Sequence, residues 1–214
     1  EDGELWNNLK QILEAGGAWP TNDGGTLRCM QHMPRVVVDT ITDDDLEGPS
    51  STPGMTPWET GFNTLTPRFM SEANQWSMVA SDPVSVSSLV TAQGETRPKS
   101  RDWALVTDAN QAAALGVYAI YDSVELQPIG LTVGRRFIGY DVGDAVTLDL
   151  PSLGLDHTAV IHRPSLNVAT GQVTLTRVTD TNEKHAYALS RTGTAPPHPS
   201  LVSNDDFDLA ADRL

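Results

Sequence analysis

The chain is short of the groups that most function classes require. It has a single cysteine, Cys29, which excludes an internal disulfide framework and a cysteine-ligated zinc site. Basic residues are few: 14 Lys and Arg stand against 28 Asp and Glu, a net charge of -14 with histidines neutral. Nucleic acid and anionic membranes both need clustered Lys and Arg that displace counterions, so both are disfavoured as partners. No run approaches the roughly 20 apolar residues of a membrane-spanning helix. Aromatic residues make up 6% of the chain and hydrophobic residues 39%. That is low for a self-sufficient globule yet well above disorder, and it suits a core of short strands and frequent turns. The sequence opens Glu1-Asp2-Gly3, without methionine or signal peptide, and so reads as a processed product or an excerpt from a longer polypeptide.

What is present is a pattern of helix and strand signals. Leu5, Trp6, Leu9, Ile12 and Leu13 fall on one helical stripe, with Trp6 expected in the core and Gly16-Gly17 as the helix exit. Asn22-Asp23-Gly24-Gly25 reads as a tight turn into a strand at 26–30. Val36-Val37-Val38 marks a strand, and Thr42-Asp43-Asp44-Asp45-Leu46 a single helical turn. Pro49, Pro53, Gly54 and Pro57 make 47–60 an extended connection. Strands are expected at 62–69, where Pro67 argues for an edge, and at 76–80; the polar stretch 93–102 is a loop or an exposed strand. Asp108, with Gln111 three residues on, caps a helix near 109–121 built on Ala112-Ala113-Ala114-Leu115. Beyond it strand-length segments recur at 125–133, 136–140, 145–150, 158–162, 172–178 and 184–189, separated by Gly, Pro, Asn and Asp. The expected class is α+β, mostly antiparallel β with two main helices, a small N-terminal α/β unit and a C-terminal β-barrel or sandwich-like unit. The expected division is 1–100, helix plus short strands with extended loops; 101–192, helix followed by antiparallel barrel-like β; and 193–214, a Pro-rich, acidic linker or tail.

Few residues point to chemistry. Asp43, Asp44, Asp45 and Glu47 lack the alternating spacing of a calcium loop and fit a helix N-terminus instead. His157 and His162 are an odd number apart and so face opposite sides of a regular strand, which, with His185, favours surface or rim histidines over a zinc site. No G-x-S-x-G elbow is present, and Cys29 has no basic neighbour at helical distance. No catalytic, cofactor-binding or metal-binding residue is therefore assigned. Trp58 and Trp76, in polar loop contexts, are the candidate ligand platforms, because an exposed indole can stack on sugar rings.

The order of several stretches carries a resemblance. They are Leu9 to Trp19 with Leu27-Arg28, Ile41-Thr42-Asp43-Asp44-Asp45-Leu46, Phe62-Asn63-Thr64-Leu65 with Asn74-Gln75-Trp76, and Val106-Thr107-Asp108-Ala109-Asn110-Gln111-Ala112. Val142-Gly143-Asp144-Ala145-Val146-Thr147-Leu148 to Leu155 and Asn167-Val168-Ala169-Thr170-Gly171-Gln172-Val173-Thr174-Leu175 complete the set. In this order the chain resembles the tail protein family of long-tailed phages and gene transfer agents, the central part of their tail tip or baseplate hub proteins, which includes relatives of the lambda-type tip attachment protein J. It departs from that family at 51–60 and beyond Ala195. The resemblance implies a structural virion protein without catalysis or cofactor: a ring-forming hub, commonly trimeric, at the tail tip, made in the bacterial host cytoplasm and linked to host attachment. Its implied partners are copies of itself, tail tube, distal tail and fibre proteins, with DNA passing through a lumen without specific binding and no membrane binding by this segment. The alternative is a carbohydrate-binding or glycan-cleaving tail module.

Overall fold

A computed structural model describes residues 2–23, 25–50, 61–125 and 129–197. Helix α1 (Asp2–Ala15) follows the expected stripe, and the chain leaves it through Gly17 at φ +69°, the left-handed conformation that glycine takes at helix exits. The stripe is not core, however. Leu5 is 69%, Trp6 39% and Ile12 60% exposed. The expected burial of Trp6 is thus corrected, because periodicity identifies an apolar face but not what covers it. Strands β1 (Ala18–Asp23) and β2 (Thr26–Gln31) pair as the hairpin signalled by the Asx-Gly turn. Strand β3 (Val37–Thr42) runs into a single 3-10 turn at Asp43–Asp45, where the Asp45 carboxylate accepts from the Thr42 amide and hydroxyl, both at 3.0 Å.

The next strands form a four-stranded sheet. In it β4 (Thr64–Ser71) has β5 (Ser77–Ala80) and β6 (Val84–Ser85) antiparallel on one side and β7 (Pro98–Trp103) parallel on the other. A short helix, α2 (Ser87–Gln93), precedes β7. The edge position expected from Pro67 is corrected, since β4 is central. The Pro67 carbonyl accepts from the Ser81 amide at 2.8 Å. Amide and carbonyl of one residue point to the same side of a strand, so the missing donor falls at the break between β5 and β6, where no ladder bond is lost. The expected exposed strand at 93–102 corresponds to β7, whose first five residues are exposed.

Helix α3 (Ala109–Glu125) packs on β4 through Ala112, Leu115, Ala119 and Ile120, which share a core with Leu65, Phe69, Val86 and Trp103. Its start is the one the sequence signals: the Asp108 carboxylate accepts from the Asn110 amide at 3.0 Å. Gly116 lets the helix approach closely, for a Cβ there would stand 3.0 Å from Val84 and 3.2 Å from Leu65.

The second sheet has five strands: β3 followed by β9 (Ala145–Leu150), β10 (Leu155–Asn167), β11 (Gln172–Thr179) and β8 (Ile129–Val133). Only the β3–β9 pair is parallel. It is an open, sandwich-like sheet, so the class is α+β with mostly antiparallel β, and the sheet does not close into a barrel. Ile41, Leu131, Val146, Leu148, Leu150, Ile161, Leu175 and Phe137 make its core, each large side chain contributing about 1.5–3 kcal/mol on burial.

Two expected strands are corrected to helix. Of the strand expected at 136–140, residues 136–139 lie in a 3-10 helix, Arg135–Gly139, whose one buried residue is Phe137, whereas a strand needs alternate residues inside. Residues 184–189 lie in α4 (Glu183–Leu189), with Lys184, His185 and Ala188 buried, the i, i+1, i+4 spacing of a helix. The expected extended connection falls partly on residues outside those described, as do most of the Pro-rich, acidic end and the residues between α3 and β8.

Candidate functional site

One face of α3 presents Leu115, Tyr118, Ala119, Asp122 and Ser123, spaced one and two turns apart, to a cleft of about 430 Å³. Its other walls are the exit of α1 with the start of β1 (Glu14, Gly17, Ala18, Trp19), His32 beyond β2, Phe62, Arg101 and Trp103 of β7, and His162 of β10. His162 is carried there by an irregularity in β10, where the register with β11 shifts between Ile161 and Arg163.

The rings in and behind this cleft are layered. His32 lies parallel to Tyr118 with centroids 4.3 Å apart, and Trp19 lies parallel to His162 at 6.1 Å and tilted against His32 at 4.8 Å. Behind Tyr118, its hydroxyl and His185 Nδ1 are 3.3 Å apart. Burial pushes the Tyr118 hydroxyl above its ordinary pKa, and burial likewise holds His162 and His185 below the ordinary imidazole value of 6.5. His32 Nε2 stands 3.4 Å from Asp122 Oδ2.

A buried ion cluster adjoins the rings. Lys184 Nζ lies 2.6 Å from Asp180, 3.3 Å from Glu125 and 3.6 Å from Asp122, and Arg35 Nε lies 3.6 Å from Asp180. Burial alone would pull the Lys184 ammonium down, but the three carboxylates outweigh it and hold the pKa above 10.5. Burial pushes Glu125 up, only partly offset by Lys184 and by the Thr181 hydroxyl at 2.5 Å. Asp122 Oδ1 and the Trp19 indole nitrogen are buried without a hydrogen-bond partner. The aliphatic hydroxyl that α3 brings to the cleft, Ser123, already donates toward the Ile120 and Phe62 carbonyls.

Of the residues weighed in the sequence, His162 lines the cleft, and the other described ones lie elsewhere. Trp76 sits in the turn between β4 and β5 at φ +56°, 60% exposed, away from the cleft lining; Trp58 lies outside the described residues. Asp43 accepts from the Ser152 hydroxyl and amide, and Asp45 binds Thr42 and Arg136, so these carboxylates tie loops together. His157 pairs with the Thr179 hydroxyl at 3.1 Å. His185 is not a rim residue, being 1% exposed, because a helix rather than a strand carries it inward. Among the described residues no group of three His, Cys, Asp or Glu is placed to hold a metal ion. Trp19, His32, Tyr118, Asp122 and Lys184, which build the cleft and its cluster, were not singled out by sequence. The one local signal is Tyr118 and Asp122, one turn apart on the helix α3.

No protein-family model and no curated protein matches the sequence. Solved structures do. The 43 kDa tail protein of prophage MuSo2 from Shewanella oneidensis superposes with a TM-score of 0.56 at 18% identity, over 84% of this chain and 53% of that one. A chain of the virion of a native gene transfer agent particle gives 0.58 at 15% identity, over 90% and 40%. A tail protein from Neisseria meningitidis gives 0.55 at 17%, over 82% and 54%. The chain therefore spans about half the length, or less, of the solved proteins it matches, and what it shares with these phage tail proteins and this virion component is their fold.

Proposed function

We propose that the chain is a structural part of a phage or phage-like tail, a segment of the tail-tip or baseplate hub that assembles with copies of itself into a trimeric ring linking the tail tube to tip or fibre proteins. It works by shape and makes or breaks no bonds. The shared fold supports the tail setting. The observation that carries the assembly is the uncovered apolar surface of the N-terminal quarter. Leu5 and Ile12 on α1, Val36 just before β3 and Val38 within it are more than half exposed, and exposed apolar side chains are what a partner surface covers. Sedimentation of the isolated chain, with electron microscopy of the particles, tests this. A concentration-dependent trimer that dissociates in the double variant Trp6→Gln, Ile12→Gln is the expected result. A monomer at every concentration, alone and with tail tube protein, would overturn it.

The excess of acidic residues suits a ring through which DNA passes without sticking, since like charge repels phosphate. A positive bore in the assembled ring would refute that part alone. The glycan reading rests on Trp76, whose exposed ring could stack on a sugar. Glycan-array binding that is lost in Trp76→Ala would favour it over the hub.

A further inference from the structure

Charge around the cleft does not balance at Asp122. Three carboxylates, Asp122, Glu125 and Asp180, share two permanent cations, Lys184 and Arg35, and the close contacts go elsewhere. Lys184 is 2.6 Å from Asp180 and 3.3 Å from Glu125, and Arg35 is turned to Asp180. Asp122 keeps Lys184 only at 3.6 Å, beyond hydrogen-bond reach, and its Oδ1 has no donor. Its Oδ2 faces His32, an imidazole whose charge is not permanent, at 3.4 Å. His162 and His185 add no charge near neutrality, because burial disfavours their protonated forms. A carboxylate in this state attracts one more cation, and 21% of its side chain is still exposed.

The surroundings suit an organic cation better than a metal ion. Trp19, Phe62, Trp103 and Tyr118 line the same cleft, and ring faces attract guanidinium and ammonium groups while their edges pack on aliphatic stems. Two of these rings already carry such groups. Arg101 lies 5.4 Å from the Trp103 ring centre and 3.1 Å from Glu14, and Lys99 lies 4.9 Å from the Phe62 ring centre. About 430 Å³ is within the range of small-ligand sites. An anion would meet Asp122 and Glu14, and a neutral apolar guest would leave Asp122 as it is.

We propose that this cleft binds an organic cation, a guanidinium or alkylammonium group on an aliphatic stem, with Asp122 as its counter-ion. The chemistry is that of an arginine or lysine side chain offered by another protein, and equally of a free amine. The inference does not rest on the tail-hub reading, and a failed ring assembly would leave it standing.

The test is a titration of the full chain, followed by nitrogen-15 NMR of the Trp19 indole, with n-butylammonium, n-butylguanidinium, n-butanol and the blocked peptide Gly-Gly-Arg-Gly-Gly. Both cations should shift that resonance saturably and bind at least about tenfold tighter than n-butanol. Asp122→Asn should remove that preference, and Glu14→Gln, in the lining but paired with Arg101, should weaken it less. Saturation by the peptide assigns the cation to a polypeptide; saturation by the small cations alone assigns it to a free amine. Equal binding of n-butanol, no saturation by either cation, or an unchanged preference in Asp122→Asn would overturn the proposal. The comparison of charged with neutral probes on the unaltered chain decides the matter even if Asp122→Asn fails to fold.

Discussion

The ammonium of Lys184 lies 2.6 Å from the carboxylate of Asp180, four residues earlier, while 2% of the lysine side chain is exposed. A lysine this deep is tolerated because Glu125 and Asp122 complete its surroundings. Removing it takes the ion pair from Glu125 and leaves Asp180 with Arg35 at 3.6 Å and Asp122 with His32 at 3.4 Å in a low-dielectric site. Lys184→Met should therefore cost about 3–5 kcal/mol in unfolding free energy, read from urea denaturation. Lys184→Arg, which keeps the charge, should cost clearly less. A loss in Lys184→Met below about 1 kcal/mol would mean the cluster is solvated.

Acid should destabilise the fold through its histidines. Burial sets His162 and His185 below 6.5 in the folded state, so the unfolded chain binds protons first as pH falls. Stability contributed by the neutral forms is present above the unfolded value and declines as pH drops below about 6.5. Glu125 acts in the opposite sense above 4.5, because burial raises its folded pKa. Unfolding free energy should thus fall between about pH 7.5 and 5.5, and the fall should shrink in His162→Gln, His185→Gln. An unchanged slope in that variant would assign the acid sensitivity to other groups.

Gly116 sets the distance between α3 and the four-stranded sheet. A Cβ there would press on Val84 and Leu65, both buried in the sheet beneath. Gly116→Val should cost about 1–3 kcal/mol by overpacking, measured as a lower urea midpoint with unchanged slope. In Gly116→Ala the gain in helix propensity, about 1 kcal/mol, offsets part of that cost. A Val variant as stable as the parent would show that the helix can ride outward freely.

These contacts explain which parts of the fold could be read from sequence. Residues 145–150 and 172–178 alternate or run apolar between strong turn residues, and β9 and β11 lie where that pattern puts them. Asp108 and the alanines after it mark α3 because capping and propensity act within one turn. The failures share a different cause. The strand expected at 184–189 is α4, where Lys184 and His185 point inward toward acids and a tyrosine of the distant α3. Pro67 is central because its missing donor meets a gap made by two other strands, something only the assembled sheet reveals. The cleft is likewise formed by six chain segments that come together in space, so no window of sequence contains it.

The outer edge of β3 is guarded by side chains. Thr40 donates its amide to its neighbour Asp39 at 2.8 Å and accepts from Arg136 at 3.2 Å, and the Tyr140 hydroxyl holds the other Asp39 oxygen at 2.8 Å. The Tyr140 bond and the Thr40 amide hold Asp39 below 3.8, so its ionised form persists and its stabilising effect is lost only as pH falls through that lowered value. An edge strand with free donors beside exposed valines is a template for association with other chains. Asp39→Ala should uncover the Thr40 amide and speed aggregation on warming, followed by light scattering at matched concentration. Asp39→Asn keeps an acceptor oxygen beside that amide and should aggregate no faster than the parent. If both variants aggregate alike, the lost negative charge governs the rate, and the capped hydrogen bond does not.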